Sequence, residues 1–309
     1  MMIAALRMLS VSAVAVAALA CSPPPRPPIT NDAATDSPSA VDSADAPDST
    51  NATNDADSGS DASASLADSA TLDSATADSA TRDAGAPLRV LFVGNSYTYV
   101  NDLPAMLVSM TRGSSADALA VDSVTVGGAT LQLHWQMTGA RTRLEAGGID
   151  AVVLQGQSVE PLFQPTVFGR YADELGALAR RTSVRSLWFA TWARRAGDAV
   201  YGESFSGGTP EAMTRGLERE YAAASMRNGG ALVRVGEAWR RAIAERPSLA
   251  LHSEDGSHPT VAGTYLAACV FYAALFGHPV DERAEVPSGV SADDARALRA
   301  IAAALHAER

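Results

Sequence analysis

A serine and a histidine that lie far apart in the chain stand in sequence contexts that suit nucleophilic catalysis. The apolar run 90–93 ends in a Gly-Asn turn followed by Ser96, and His258 comes three residues after Asp255. A buried strand that ends in a glycine turn is one way to expose a nucleophilic hydroxyl. The hydroxyl needs a neighbouring base, and the base needs a carboxylate that fixes its tautomer. The residues predict acyl transfer, with Ser96 as nucleophile, His258 as base and Asp255 as its partner.

The oxyanion that forms during acyl transfer also needs hydrogen-bond donors. We expect three: the backbone N–H of Ser96, the N–H of Gly128, and a side-chain amide from Gln155 or Gln157. Each position follows a predicted strand. In a doubly wound parallel sheet, the carboxyl ends of the strands meet at one edge, where sites form. The same edge would therefore collect all three donors.

Short apolar runs alternate with helical segments along the second part of the chain. This alternation indicates right-handed crossovers and a parallel sheet covered on both faces. The expected fold class is α/β, with a five-stranded, doubly wound sheet. The predicted strands are 88–93, 118–126, 151–154, 184–191 and 231–235. The predicted helices are 103–112, 131–146, 168–181, 209–228, 237–245 and 259–276, with a last helix capped by Ser291.

Four groups of residues occur in the order of the four sequence blocks of SGNH (GDSL-type) hydrolases. They are Gly94-Asn95-Ser96-Tyr97-Thr98, Gly128, Gln155-Gly156-Gln157 and Asp255-Gly256-Ser257-His258-Pro259. The chain resembles this family over about residues 88–276. The resemblance implies a flavodoxin-like three-layer α/β/α fold and a serine esterase without a cofactor. It also implies that Ser96, Asp255 and His258 form the catalytic triad.

Two positions depart from the pattern of that family. Asn95 stands where an Asp is usual, and the third block lacks its usual Asn. An ungapped match puts Gln157 in the place of that Asn. However, Gln-Gly-Gln also resembles the Gln-Gly-Glu of SGNH carbohydrate acetylesterases, which points to Gln155. Both glutamines therefore stay candidates, with Gln157 preferred.

The N-terminal part of the sequence predicts a protein that is exported and held by a flexible tether. Residues 1–20 have one charge, Arg7, and an apolar run that ends before Cys21, which resembles a bacterial lipoprotein processing site with Cys21 lipidated. Ala18 departs from that pattern, so an ordinary secretory signal or a retained anchor remains open. Residues 21–87 hold twelve Asp and two Arg and are poor in large apolar residues, so we expect a disordered linker. Residues 88–309 form the expected catalytic domain, lipid-anchored in the bacterial cell envelope.

Composition limits the function classes. The net charge of −11 comes mostly from the linker, and no basic stripe indicates nucleic-acid binding. We expect a monomer that removes a short acyl group, such as acetyl, from a carbohydrate or other extracellular ester. The alternatives are a glycan- or partner-binding module without catalysis and a structural lipoprotein. A metal cluster around His252, Glu254, Asp255 and His258 is a weaker alternative, and Cys269 is expected to be a buried apolar residue.

Overall fold

Five apolar runs of the chain pair into one parallel sheet in a computed structural model that describes residues 86–112 and 117–308. The strands are β1 (Leu88–Gly94), β2 (Leu119–Thr125), β3 (Ala151–Leu154), β4 (Arg185–Phe189) and β5 (Ala231–Val233). Their order is β2-β1-β3-β4-β5, and all four pairings are parallel. This is the flavodoxin-like order, so the predicted sheet is confirmed.

Helices cover both faces of the sheet. They are α1 (Ser96–Tyr99), α2 (Leu103–Met110), α3 (Leu131–Gln136), α4 (Ala140–Glu145), α5 (Glu160–Phe163), α6 (Pro165–Arg181), α7 (Pro210–Asn228), α8 (Val235–Glu245), α9 (Val261–Phe276) and α10 (Ala292–Ala307). In β1, Val90 and Phe92 pack with α2, α8, α9 and α10. Leu91 and Val93 point to the opposite core, with α3, α4, α6 and α7. The side-chain alternation of one strand therefore joins two cores into a three-layer fold.

Helix α9 is apolar on all sides because it lies inside one of these layers. Its only partly buried positions are at its two ends. Cys269 is fully buried in the middle of α9, and burial raises the pKa of its thiol to about 12. The prediction that Cys269 is a small apolar core residue is confirmed.

The helix predicted over 131–146 is two helices, α3 and α4. Gly139 separates them with a φ of 82°, in the left-handed region that glycine adopts without strain. The hydroxyl of Thr138 lies 2.9 Å from the Nδ1 atom of His134, which ties the break to the last turn of α3.

The predicted signal at 1–20, the lipidated Cys21 and nearly all of the linker lie outside the described residues. Within residues 86–112 and 117–308, no helix has both the length and the apolar character needed to cross a membrane.

Candidate active site

The end of β1 places Ser96 at the carboxyl edge of the sheet. Ser96 is the first residue of α1, where a backbone N–H has no partner within the helix. Asn95 caps this helix, and its side-chain oxygen accepts a hydrogen bond from the N–H of Tyr97 at 3.1 Å. Gly94 leaves no room for a side chain, because an added Cβ would lie 2.5 Å from the Thr98 hydroxyl. The Gly-Asn turn therefore fixes the direction in which Ser96 leaves the strand.

A buried amide network holds this turn. The Oε1 atom of Gln155 accepts from the Asn95 N–H at 3.0 Å and from the Thr98 hydroxyl at 2.9 Å. Its Nε2 atom donates to Asn95 Oδ1 at 2.8 Å and to the Gly156 carbonyl at 2.7 Å. Gln155 is fully buried, and both of its side-chain N–H donors are in use. It has no donor left for a substrate.

His258 links Ser96 to Asp255. The Nε2 atom of His258 lies 2.8 Å from Ser96 Oγ, and its Nδ1 atom lies 2.5 Å from Asp255 Oδ2. The other oxygen of Asp255 accepts from the backbone N–H groups of Ser257 and His258, each at 2.9 Å. The structure thus brings together the serine, histidine and aspartate that were singled out in the sequence.

Hydrogen bonds keep the Asp255 carboxylate ionised. Partial burial would raise its pKa, but the His258 side chain and two backbone N–H groups outweigh that effect and lower the pKa to about 2. The carboxylate is therefore charged at neutral pH. A charged partner on Nδ1 keeps the proton there and leaves Nε2 free to accept one.

Three stacked aromatic rings support the loop that carries His258. Tyr97 stacks on Trp192 with ring centroids 4.4 Å apart, and Trp192 stacks on Trp239 at 4.0 Å. The indole N–H of Trp192 donates to the Ser257 carbonyl at 3.0 Å, and the Tyr97 hydroxyl lies 3.0 Å from Ser257 Oγ. The stack joins α1, the segment after β4 and α8, so no local pattern could have identified it.

Arg195 holds the same loop from outside. Its Nη2 atom donates to the Glu254 carbonyl at 2.9 Å, and its backbone N–H donates to the Gly256 carbonyl at 2.9 Å. Gly256 has a φ of 70°, so the turn between Asp255 and His258 needs a glycine. The backbone at Gly256 lets Asp255 fold back onto His258.

The two remaining candidate donors lie on loops after β2 and β3. Gly128 is exposed with a φ of 68°, and its N–H makes no hydrogen bond within the part of the chain that the structure describes. The Oε1 atom of Gln157 accepts from the N–H groups of Val159 and Glu160 at 2.8 and 3.1 Å. Its Nε2 atom has no partner among the described residues. Gln157 therefore keeps a free donor, unlike Gln155.

Glu160 connects these two loops and was not singled out by the sequence. Its Oε2 atom accepts from the N–H of Gln157 at 3.0 Å and from the N–H of Leu131 at 3.2 Å. It is 3% exposed, and burial raises the pKa of its carboxyl to about 7. An added Cβ at Gly156 would lie 2.6 Å from Oε2, so this glycine makes room for the carboxylate. The loop with Gly128 and the loop with Gln157 thus share one anchor.

His134 is a fully buried support for the end of β1. Its Nε2 atom lies 2.9 Å from the Gly94 carbonyl, and its Nδ1 atom lies 2.9 Å from the Thr138 hydroxyl. Because the carbonyl can only accept, Nε2 donates and Nδ1 accepts from the hydroxyl. Burial lowers the pKa of His134 to about 4, so the ring is neutral in the folded protein.

This burial predicts acid sensitivity. At pH values above 6.5, the ordinary pKa of histidine, the ring is neutral in both the folded and the unfolded protein. Below that pH, the unfolded chain binds a proton on His134 more readily than the folded protein does. We expect His134 to reduce the free energy of unfolding by about 2 kcal/mol between pH 7 and pH 5. Urea unfolding of the wild type and of His134→Gln at pH 7 and pH 5 measures how the free energy of unfolding changes with pH. Glu160 also contributes to this change, but it contributes equally in both proteins, so the difference between them reports on His134. Equal pH slopes for the two proteins would contradict it.

His252 occupies a structural position beside the loop. Its Nε2 atom lies 2.9 Å from the Ala193 carbonyl, and its ring packs edge-on against Trp239 at 4.9 Å. Among residues 86–112 and 117–308, no group of three or more His, Cys, Asp or Glu side chains could hold a metal ion. The side chains of His252 and His258 thus make separate contacts.

Searches against known proteins gave matches to solved structures. A scan of protein-family models and a search of curated proteins gave no match. A structure of a DUF4886 family protein from Bacteroides uniformis is 18% identical, covers 72% of this chain and 97% of its own, and has a TM-score of 0.56. The acetylxylan esterase Axe2 from Geobacillus stearothermophilus is 14% identical, with 63% and 97% covered and a TM-score of 0.48.

A third solved structure shows the family to which the chain belongs. A protein from Slackia heliotrinireducens, described as an SGNH hydrolase, is 30% identical and has a TM-score of 0.54. The match covers 62% of this chain and 100% of that protein. Since the similarity extends over the whole of that relative, the chain belongs to the SGNH hydrolase family.

Proposed function

We propose that the protein is a serine ester hydrolase in which Ser96 attacks the ester carbonyl. The contact that carries this proposal is the 2.8 Å distance between Ser96 Oγ and His258 Nε2, two atoms whose residues are 162 positions apart. A chance pairing of surface residues would not also place His258 Nδ1 on a carboxylate held by two backbone N–H groups. The arrangement matches the roles of nucleophile, base and orienting carboxylate.

The reaction would proceed through an acyl-enzyme. As Ser96 Oγ attacks, His258 Nε2 takes the hydroxyl proton, and Asp255 stabilises the imidazolium that forms. The intermediate collapses, the bond to the alcohol breaks, and His258 returns the proton to the leaving oxygen. A water molecule then attacks the acyl carbonyl while His258 takes a proton from it. The bond between the acyl group and Ser96 Oγ breaks, and His258 returns that proton to Oγ. The products are a carboxylic acid, an alcohol and the unchanged enzyme.

For the oxyanion we propose the backbone N–H groups of Ser96 and Gly128 and the side-chain Nε2 of Gln157. The free N–H at Gly128 and the free amide donor of Gln157 support this choice. Gln155, the other candidate from the sequence, instead holds the turn before Ser96 with both donors in use. Glu160 is the positioning residue in this proposal, because it bonds to the loops of both donors.

We also propose a substrate class and a location. An exported protein with a tether would meet esters outside the cytoplasm, so we propose that the enzyme removes a short acyl group, such as acetyl, from a carbohydrate. We propose Cys21 as the lipid anchor and a monomeric enzyme in the bacterial cell envelope. The chemistry needs no cofactor, since Ser96, His258 and Asp255 supply the nucleophile and the proton transfers.

Turnover of a p-nitrophenyl ester series tests this function. We expect hydrolysis of the acetate, with kcat/KM falling as the acyl chain lengthens to butyrate and octanoate. Release of acetate from acetylated xylo-oligosaccharides would extend the result to a carbohydrate. A protein that is folded by circular dichroism but hydrolyses none of these esters would count against the esterase and in favour of a binding module.

A further inference from the structure

We infer that a cavity between α7, α8 and the segment after β4 binds a small organic carboxylate. The cavity has a volume of about 460 Å³, which falls within the range of roughly 300–1,000 Å³ for small-molecule sites. Its wall includes Trp192, Arg194, Arg195, Glu211, Trp239 and Ile243. Ser96, Asp255 and His258 are not part of this wall, so the cavity is a separate site next to the proposed catalytic residues.

The cavity wall holds Arg194 and Arg195 together with one carboxylate, Glu211, so its side chains carry more positive than negative charge. Arg194 Nη2 donates to the Ser158 hydroxyl at 2.8 Å, and Arg195 Nη2 donates to the Glu254 carbonyl at 2.9 Å. Both acceptors are neutral, and neither arginine forms an ion pair with a residue in 86–112 or 117–308. By contrast, Arg240 in the same wall is paired with Glu237 at 2.7 Å. A carboxylate is the partner that a guanidinium group binds best.

The rest of the wall fits an apolar body attached to the carboxylate. Ile243 is 44% exposed at the cavity, and Leu249 and Pro247 line the same side. An inorganic anion would leave these side chains in water, and a neutral apolar molecule would leave the arginines unpaired. An aromatic or short aliphatic carboxylate satisfies both parts of the wall.

Occupancy would act on the proposed catalytic loop, an effect that rests on the proposed function. Trp192 lines the cavity and donates to the Ser257 carbonyl at 3.0 Å. Arg195 lines it and donates to the Glu254 carbonyl. The residues that would touch the ligand are therefore those that hold the segment between Asp255 and His258. Such a carboxylate comes either from the alcohol part of an ester substrate or from a free acid.

Calorimetric titration of the full chain with 4-phenylbutyrate and with 4-phenylbutan-1-ol tests the site. The two probes differ in the charged group, and we expect the acid to bind ~10-fold more tightly or better, from charge-assisted hydrogen bonds. Arg194→Gln and Arg195→Gln should each weaken binding of the acid by ~10-fold. Glu211→Gln removes a negative charge that repels the ligand carboxylate, so this variant should bind the acid several-fold more tightly. Arg215→Gln is the matched control, because it removes an exposed arginine of α7 outside the wall.

Equal affinity for the acid and the alcohol would overturn the inference, as would unchanged binding in a folded Arg194→Gln or Arg195→Gln variant. Inhibition of p-nitrophenyl acetate hydrolysis by 4-phenylbutyrate then shows where the natural carboxylate comes from. Competitive inhibition indicates that it is part of the ester substrate, and noncompetitive inhibition indicates a free acid that acts as an effector. Binding is measured without turnover, so an inactive protein would contradict the proposed esterase and leave the cavity site standing.

Discussion

Ser96→Ala is expected to lower kcat for p-nitrophenyl acetate by ~10⁴-fold or more, because no other group can form the acyl-enzyme. The side chain is small and only partly buried, so the variant should fold like the wild type. His258→Ala should lose a similar factor. The double variant should lose little more than either single variant, since the two residues act in one step.

A neighbouring serine supplies the control for this experiment. Ser257 lies in the same site, and its hydroxyl contacts the Tyr97 hydroxyl at 3.0 Å rather than His258. Ser257→Ala should therefore keep kcat within ~10-fold of the wild type. A Ser96→Ala protein that retains more than about one tenth of the activity would rule out Ser96 as the nucleophile.

Asp255→Asn is expected to lower kcat by ~10³- to 10⁴-fold while the loop keeps its shape. The amide oxygen can still accept from the backbone N–H groups of Ser257 and His258. The amide nitrogen, however, would face His258 Nδ1 and donate to it. The proton of the ring would then move to Nε2, which can no longer accept the proton of Ser96.

Glu254 is the matched carboxylate for this test. It is exposed, and its side chain makes no hydrogen bond with other described residues, so Glu254→Gln should leave kcat within a few-fold of wild type. Kinetics with p-nitrophenyl acetate, with circular dichroism as the folding check, compare the two variants. Similar losses in both would mean that Asp255 acts only through local charge and does not set the tautomer of His258.

The strands and the three residues of the proposed triad could be singled out because each has a local signature. Buried parallel strands read as unbroken apolar runs, as in β3, and the Asp-x-x-His spacing is specific enough to stand out. The break between α3 and α4 was missed, because a glycine such as Gly139 can lie inside a helix or take the left-handed backbone that ends one. Strand ends were less accurate, and β4 stops at Phe189, short of the predicted residue 191.

The supporting residues were not predictable from the sequence. Gln155 and Gln157 look alike in sequence, and only burial shows that the first has used its donors while the second has not. Glu160 reads as an ordinary acidic residue in a helix, yet its carboxylate joins two loops. The stack of Tyr97, Trp192 and Trp239 joins three distant segments. Each of these contacts depends on tertiary packing, which local patterns do not contain.

Covalent labelling tests the central claim most directly. After incubation of the full chain with an aryl phosphonate, mass spectrometry of the digested protein should find one adduct, on the peptide that contains Ser96. Labelling should be absent in Ser96→Ala and strongly slowed in His258→Ala, because the hydroxyl then lacks its base. An adduct on a different residue, or no adduct on a folded wild-type protein, would contradict the assignment of Ser96 as the nucleophile of an ester hydrolase.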